Sequence, residues 1–157
     1  MSNMASSDRD DKHVCCRVGG SLVGIQLSQV QEINRLVEPT WVPLMEPYLR
    51  GVINLRGNLV TVLDLGTIVR GRATPTTPRS RTVVVEVGEE VCGMVVDEVG
   101  DVVDVDRESI EPLPSHLPAD QRRWYRGLVQ LEGELLLLLD VRTIGQLGSE
   151  PTAKAAR

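Results

Sequence analysis

The sequence predicts an all-β fold made of two copies of one small barrel unit, with about five strands per barrel and short helical turns. Three observations carry this: short runs rich in β-branched and aliphatic residues, glycine-bearing turns between them, and two blocks that recur in the same order. The chain has 157 residues, 41% hydrophobic and 25% charged, ordinary proportions for a globular protein able to bury a genuine core. Phe is absent and there are only two Trp and two Tyr, so the core must rest on Val, Leu and Ile. Runs such as Val83-Val84-Val85 fit strands better than helices, because branching at Cβ stiffens χ1 and suits a pleated surface.

The first hairpin is read over Cys15–Val18 and Val23–Leu27, around Gly19-Gly20, where glycine tolerates the positive φ of a tight turn. A second is read over Val52–Leu55 and Leu59–Leu63, around Arg56-Gly57-Asn58. Both recur. Arg50-Gly51-Val52-Ile53-Asn54-Leu55-Arg56-Gly57 aligns with Arg126-Gly127-Leu128-Val129-Gln130-Leu131-Glu132-Gly133 at an offset of 76 residues, from Arg50 to Arg126. Asp64, Thr67 and Ile68 fall on Asp140, Thr143 and Ile144 without a gap. The earlier block repeats at an offset of 69, from Gly24 to Gly93, with Val18-Gly19 over Val87-Gly88 and Ile33 over Val102. The seven-residue difference between offsets is assigned to the proline-bearing stretch Pro112–Pro118 of the second copy. Asp64 and Asp140 precede short helical turns and are read as N-caps, not as catalytic carboxylates.

Side chains alternate along strands, so the run Leu135–Leu139 cannot all face one interior. The outward set must be covered by the other barrel or by a partner. The copies also differ where function can reside: Arg56 at one hairpin tip is replaced by Glu132 at the other. Taken alone, Arg56 is a solvated turn charge, although its planar donor fork suits a partner carboxylate.

Net charge is −5 with no basic block, which disfavours nucleic acid. The longest fully apolar run, Leu135–Leu139, is far short of the ~20 residues of a spanning helix, and the polar Met1–Lys12 is no secretory signal. Cys15, Cys16 and Cys92 are read as buried thiols of a reducing compartment. His13 and His116 have no nucleophile or carboxylate at motif spacing, and a zinc site from His13 and the cysteines matches no structural spacing. Phosphate loops and dinucleotide fingerprints are missing too. The reading is therefore no enzyme, no cofactor and no metal.

The segment Arg50–Gly57, followed by Val60, Val62 and Asp64-Leu65, resembles the signature of CheW-like domains. Val30-Gln31-Glu32-Ile33 upstream, and Gly93-Met94-Val95-Val96-Asp97 with Val99 downstream, match as well, so the resemblance covers about Val14 to Ile144. It implies two interlinked five-stranded barrels of SH3-like or OB-like kind. It also implies the role of coupling chemoreceptors to the histidine kinase CheA in bacterial signalling arrays. By the same resemblance, Val30, Glu32, Gly51, Arg56 and Val102 are the receptor-binding residues, and Arg56 gains a role beyond a turn charge. The kinase's own CheW-like domain would be met through barrel ends, with no residues assigned. Thr61 stands where the family usually has Pro, and Cys15-Cys16 where it often has aromatics; these departures leave open a chemosensory pathway other than chemotaxis.

The expected layout is a flexible tail over 1–12, a CheW-like domain over 13–146 with repeats at about 14–69 and 83–145, and a flexible tail over 147–157. Tails this short leave no room for a kinase or receiver module; a free-standing adaptor and an excised domain both fit. The expected location is cytoplasmic, recruited to membrane-associated receptor arrays without insertion. Two other classes are weighed: an OB-like binder of single-stranded nucleic acid, which lacks stacking aromatics and a basic groove, and an enzyme using the cysteines.

Overall fold

The computed structural model describes residues 11–36, 38–41 and 46–155. The stretch 1–10 of the expected N-terminal tail lies outside the described residues. The strands are β1 (Lys12–Val18), β2 (Ser21–Gln26), β3 (Val30–Arg35), β4 (Leu49–Leu55), β5 (Asn58–Asp64), β6 (Arg81–Val87), β7 (Glu90–Val96), β8 (Glu98–Asp104), β9 (Tyr125–Leu131) and β10 (Glu134–Leu139). The helices used below are α1 (Leu65–Arg70), α2 (Ala119–Arg122) and the longer α3 (Val141–Ala155). The all-β reading holds, as two five-stranded sheets with few helices.

The sheets are not the two repeats. One runs β8-β1-β2-β10-β9 and the other β3-β6-β7-β5-β4. Each therefore combines the first hairpin of one copy with the third strand and second hairpin of the other. The halves are joined by parallel pairs, Leu136–Leu138 on Leu22–Gly24 and Thr61–Asp64 on Cys92–Val95. The interlinking expected of the family is this strand exchange.

Among the described residues neither sheet closes by strand pairing, and one bridge spans each seam. Thr40 and Val52 exchange backbone hydrogen bonds of 2.9 and 3.0 Å, and Glu111 and Leu128 exchange bonds of 2.8 and 3.0 Å. The duplicated glycine explains how the chain comes so near. A Cβ on Gly51 (φ 140°) would run into the Thr40 carbonyl, and one on Gly127 would lie 2.8 Å from Ile110 Cγ2 and 2.9 Å from the Glu111 carbonyl oxygen.

The main core lies between the sheets: Val14, Cys16, Val18, Val23 and Ile25 meet Leu63, Val83, Val85, Met94 and Val96. A second cluster, Cys15, Val105, Val129, Leu136 and Leu138, lies within the first sheet. The leucine run divides by alternation, Leu136 and Leu138 to the second cluster, Leu137 and Leu139 to the main core. Leu135 stays 50% exposed. Barrel-on-barrel packing thus covers most of the apolar surplus, at about 2 kcal/mol per leucine removed from water.

Both aspartates cap helices, Asp64 Oδ1 accepting from the Thr67 N–H at 3.0 Å and Asp140 Oδ1 from the Thr143 N–H at 3.1 Å. The helix capped by Asp140 is longer than a short turn: α3 is helical to Ala155 and takes in most of 147–157. Val141 and Ile144, three residues apart, anchor it in the main core, with Leu147 packed against that core.

Candidate functional site: a cleft at the β4–β5 hairpin

The hairpin between β4 and β5 turns through Arg56 (φ 53°) and Gly57 (φ 88°). Two successive positive φ values match the right-handed twist of the flanking strands. The Gly57 N–H donates to Asn54 Oδ1 at 3.0 Å. Arg56 is the one non-glycine residue with positive φ among the described residues, a conformation that costs an L-residue about 1 kcal/mol. At the matching turn of the second copy, Gly133 (φ 87°) has positive φ and Glu132 does not. The Arg-to-Glu difference in sequence is thus also a difference in backbone.

Arg56 extends toward β3. Its Nη2 lies 3.5 Å from Glu32 Oε2, with the arginine side chain 80% and the glutamate 19% exposed. Glu32 Oε1 also accepts from Asn34 Nδ2 at 2.9 Å. An ion pair with one partner this exposed contributes little to stability, so most of the guanidinium fork remains available. Beside this pair runs a cleft of about 350 Å³, lined by Gln31 and Glu32 from β3, by Leu55, Arg56, Leu59 and Val60 from the β4–β5 hairpin, and by Glu89, Glu90 and Val91 from the start of β7, the strand paired with β5. Leu59 is 76% exposed there.

The remaining residues suggested by the family resemblance are placed as follows. Val30 lies on β3 and packs against the main core, with a bulge at Gln31 separating it from Glu32 in the pairing with β6. Gly51 is buried on β4 beneath the Thr40 bridge. Val102, 50% exposed, lies on β8 opposite Val14, in the other sheet, and does not line the cleft. It occupies the position on β8 that Ile33, 39% exposed, holds on β3. Glu32 and Arg56 are therefore brought together, Val30 and Gly51 support the two strands that carry them, and Val102 is separate. Leu59, Glu89 and Glu90 were not singled out from sequence; Leu59 was findable, since alternation with buried Val60 and Val62 turns it outward.

Behind the hairpin, Arg50 donates from Nε to Asp64 Oδ2 at 2.8 Å, and to the Thr74 carbonyl. Thr74 donates to Asp64 through its N–H and hydroxyl, and Asp64 is 2% exposed. The matching Arg126 instead lies with Nη2 3.0 Å from His13 Nε2. His13 is buried, its Nδ1 lies 3.3 Å from the Asp11 carbonyl, and burial lowers its pKa from 6.5. Burial pushes the Cys16 and Cys92 thiols up to about 12, the reverse of what a nucleophilic or metal-binding thiolate needs. No group of three or more metal-ligating side chains occurs among the described residues, and no helix there is long and apolar enough to cross a membrane.

Comparison with known proteins agrees with this architecture. The sequence model of the CheW-like domain matches residues 12–147. The chain is 31% identical to the chemotaxis protein CheW of Bacillus subtilis, over 85% of this chain and 86% of that one. It is 28% identical to the chemotaxis protein CheW of Klebsiella aerogenes, over 98% and 91% respectively. The crystal structure of the scaffolding protein TtCheW from Thermoanaerobacter tengcongensis superposes with a TM-score of 0.77 at 26% identity, covering 84% of this chain and 85% of that one. With its exchanged five-stranded sheets and a matching family signature over nearly its whole length, the chain belongs to the CheW-like family of chemotaxis scaffold proteins.

Proposed function

We propose that this chain is a non-catalytic adaptor that couples chemoreceptors, the methyl-accepting chemotaxis proteins, to a CheA-type histidine kinase in a bacterial chemosensory complex. It acts in the cytoplasm, recruited to receptor arrays at the membrane. The observation that carries the reading is the Glu32–Arg56 cleft, at the one hairpin among the described residues where a non-glycine residue is held at positive φ, with its guanidinium exposed. Val30, Glu32, Gly51, Arg56 and Val102 form the receptor-binding set, and the kinase is met through its own CheW-like domain. Support comes from relatives named as chemotaxis proteins and as a scaffolding protein, and from thiols held in their unreactive form.

The test is Arg56→Glu in co-sedimentation with assembled receptor signalling tips. Binding is expected to weaken by about tenfold, as for a charge reversal at an interface, while thermal melting is unchanged. Unaltered binding by an intact fold would overturn the site assignment.

A further inference from the structure

The cleft beside Arg56 is unevenly charged. Against one arginine it presents three carboxylates, Glu32, Glu89 and Glu90. Glu32 is engaged by Arg56 and Asn34. Glu89 and Glu90 stand exposed at the tip of the β6–β7 hairpin, where β7 begins beside β5. The exposed Leu59 lines the same cleft.

The duplication supplies an internal control. At the offset of 69, Glu86, Glu89 and Glu90 correspond to Arg17, Gly20 and Ser21 of the β1–β2 hairpin. There Arg17 is neutralised by a two-pronged ion pair with Glu134, at 2.7 and 2.9 Å. The same fold therefore does not need carboxylates at this hairpin tip. The tip carries them only on the sheet that also carries Arg56.

We propose that the receptor-binding cleft reads two charges of opposite sign on one partner segment, with a lysine or arginine of the receptor tip seated against Glu89 and Glu90. An apolar side chain of the same segment covers Leu59, and a carboxylate meets Arg56. This rests on the cleft being the receptor site. The chemistry is complementarity of a divided rim: the cation answers the acidic wall, the carboxylate answers the guanidinium, and a segment of uniform charge fits only half of it. The arrangement fixes the direction in which a partner lies across the cleft, which a single charge does not.

The experiment compares Glu89→Lys/Glu90→Lys, Arg56→Glu and the unaltered chain, binding each to chemoreceptor cytoplasmic fragments assembled on lipid vesicles, at low and high salt. The three substituted residues are exposed turn or hairpin-tip groups, and equal melting temperatures verify the folds. Loss of affinity by about tenfold in the Glu89/Glu90 variant at low salt, shrinking at high salt, supports the proposal. Weakened binding by Arg56→Glu with unchanged or tighter binding by the Glu89/Glu90 variant overturns it while leaving the receptor site standing. Unchanged binding by both variants removes the receptor site, and the proposal with it.

Discussion

Arg50 and Asp64 meet at 2.8 Å behind the hairpin, with the aspartate almost fully buried, whereas their duplicates Arg126 and Asp140 do not repeat the contact. One copy closes the network and the other opens it. In the first, the guanidinium and the Thr74 N–H and hydroxyl surround the carboxylate. In the second, the arginine faces a buried imidazole and the aspartate serves as a helix cap.

Asp64→Ala is expected to cost about 3–5 kcal/mol, because it strands a partly buried guanidinium and two Thr74 donors. Asp140→Ala, which removes a cap, is expected to cost about 1 kcal/mol. Urea unfolding of the two variants checks the ratio; equal costs would show that the network is not what stabilises the first copy.

Replacing the bridge glycines tests the seams. Gly51→Ala puts a side chain at a positive φ of 140° that L-residues avoid and drives it into the Thr40 backbone, so a loss of about 3 kcal/mol is expected. Gly127→Ala meets the Ile110 Cγ2 methyl and the Glu111 carbonyl oxygen less closely than Gly51→Ala meets Thr40, and does so without a positive φ, so it is expected to cost less. Denaturation midpoints order the two.

Leu136→Ala opens a cavity in the inner cluster of the first sheet and is expected to lose about 3 kcal/mol. Leu135→Ala, one residue earlier and half exposed, is expected to change stability by about 0.5 kcal/mol or less. Calorimetry on both variants measures how strictly alternation divides the leucine run.

His13 gives stability a pH dependence of defined sign. Burial, and to a lesser extent the neighbouring Arg126 charge, lowers its folded pKa from 6.5, so the unfolded chain takes up a proton that the folded chain refuses. Its contribution to stability is complete above 6.5 and is lost as the pH falls through that value toward the folded pKa. His13→Gln is expected to flatten this segment of the stability profile, followed by urea titrations across the range.

The hairpins were legible because glycines at 19, 57, 88 and 133 break alternating apolar runs, and each has positive φ. The caps at Asp64 and Asp140 were legible because a carboxylate at a strand end has few other uses. Strand exchange was not: a repeat gives the order of strands but not their neighbours, and the parallel Leu137–Val23 pairing joins residues more than a hundred positions apart. The length of α3 was hidden by Gly145, Gly148 and Pro151, which on propensity alone end a helix, while Val141 and Ile144 anchor its first turns in the core. At the cleft, the charge asymmetry of Arg56 was visible, but its ion pair with Glu32 depends on how β3 and β4 lie in one sheet, which only tertiary structure supplies.

The exchange of strands between the halves also sets what kind of object the molecule is. Severing the loop between α1 and β6 would not release two modules, since each fragment would own parts of both sheets and a complete version of neither. A half-chain alone meets the same demand only by pairing with another copy of itself, so the architecture has the form of a homodimer whose subunits have been written into one polypeptide. Fusion frees the two once-equal faces to diverge, and Arg56 on one hairpin with Glu132 on the other is such a divergence: a symmetric frame carrying a single, directional address.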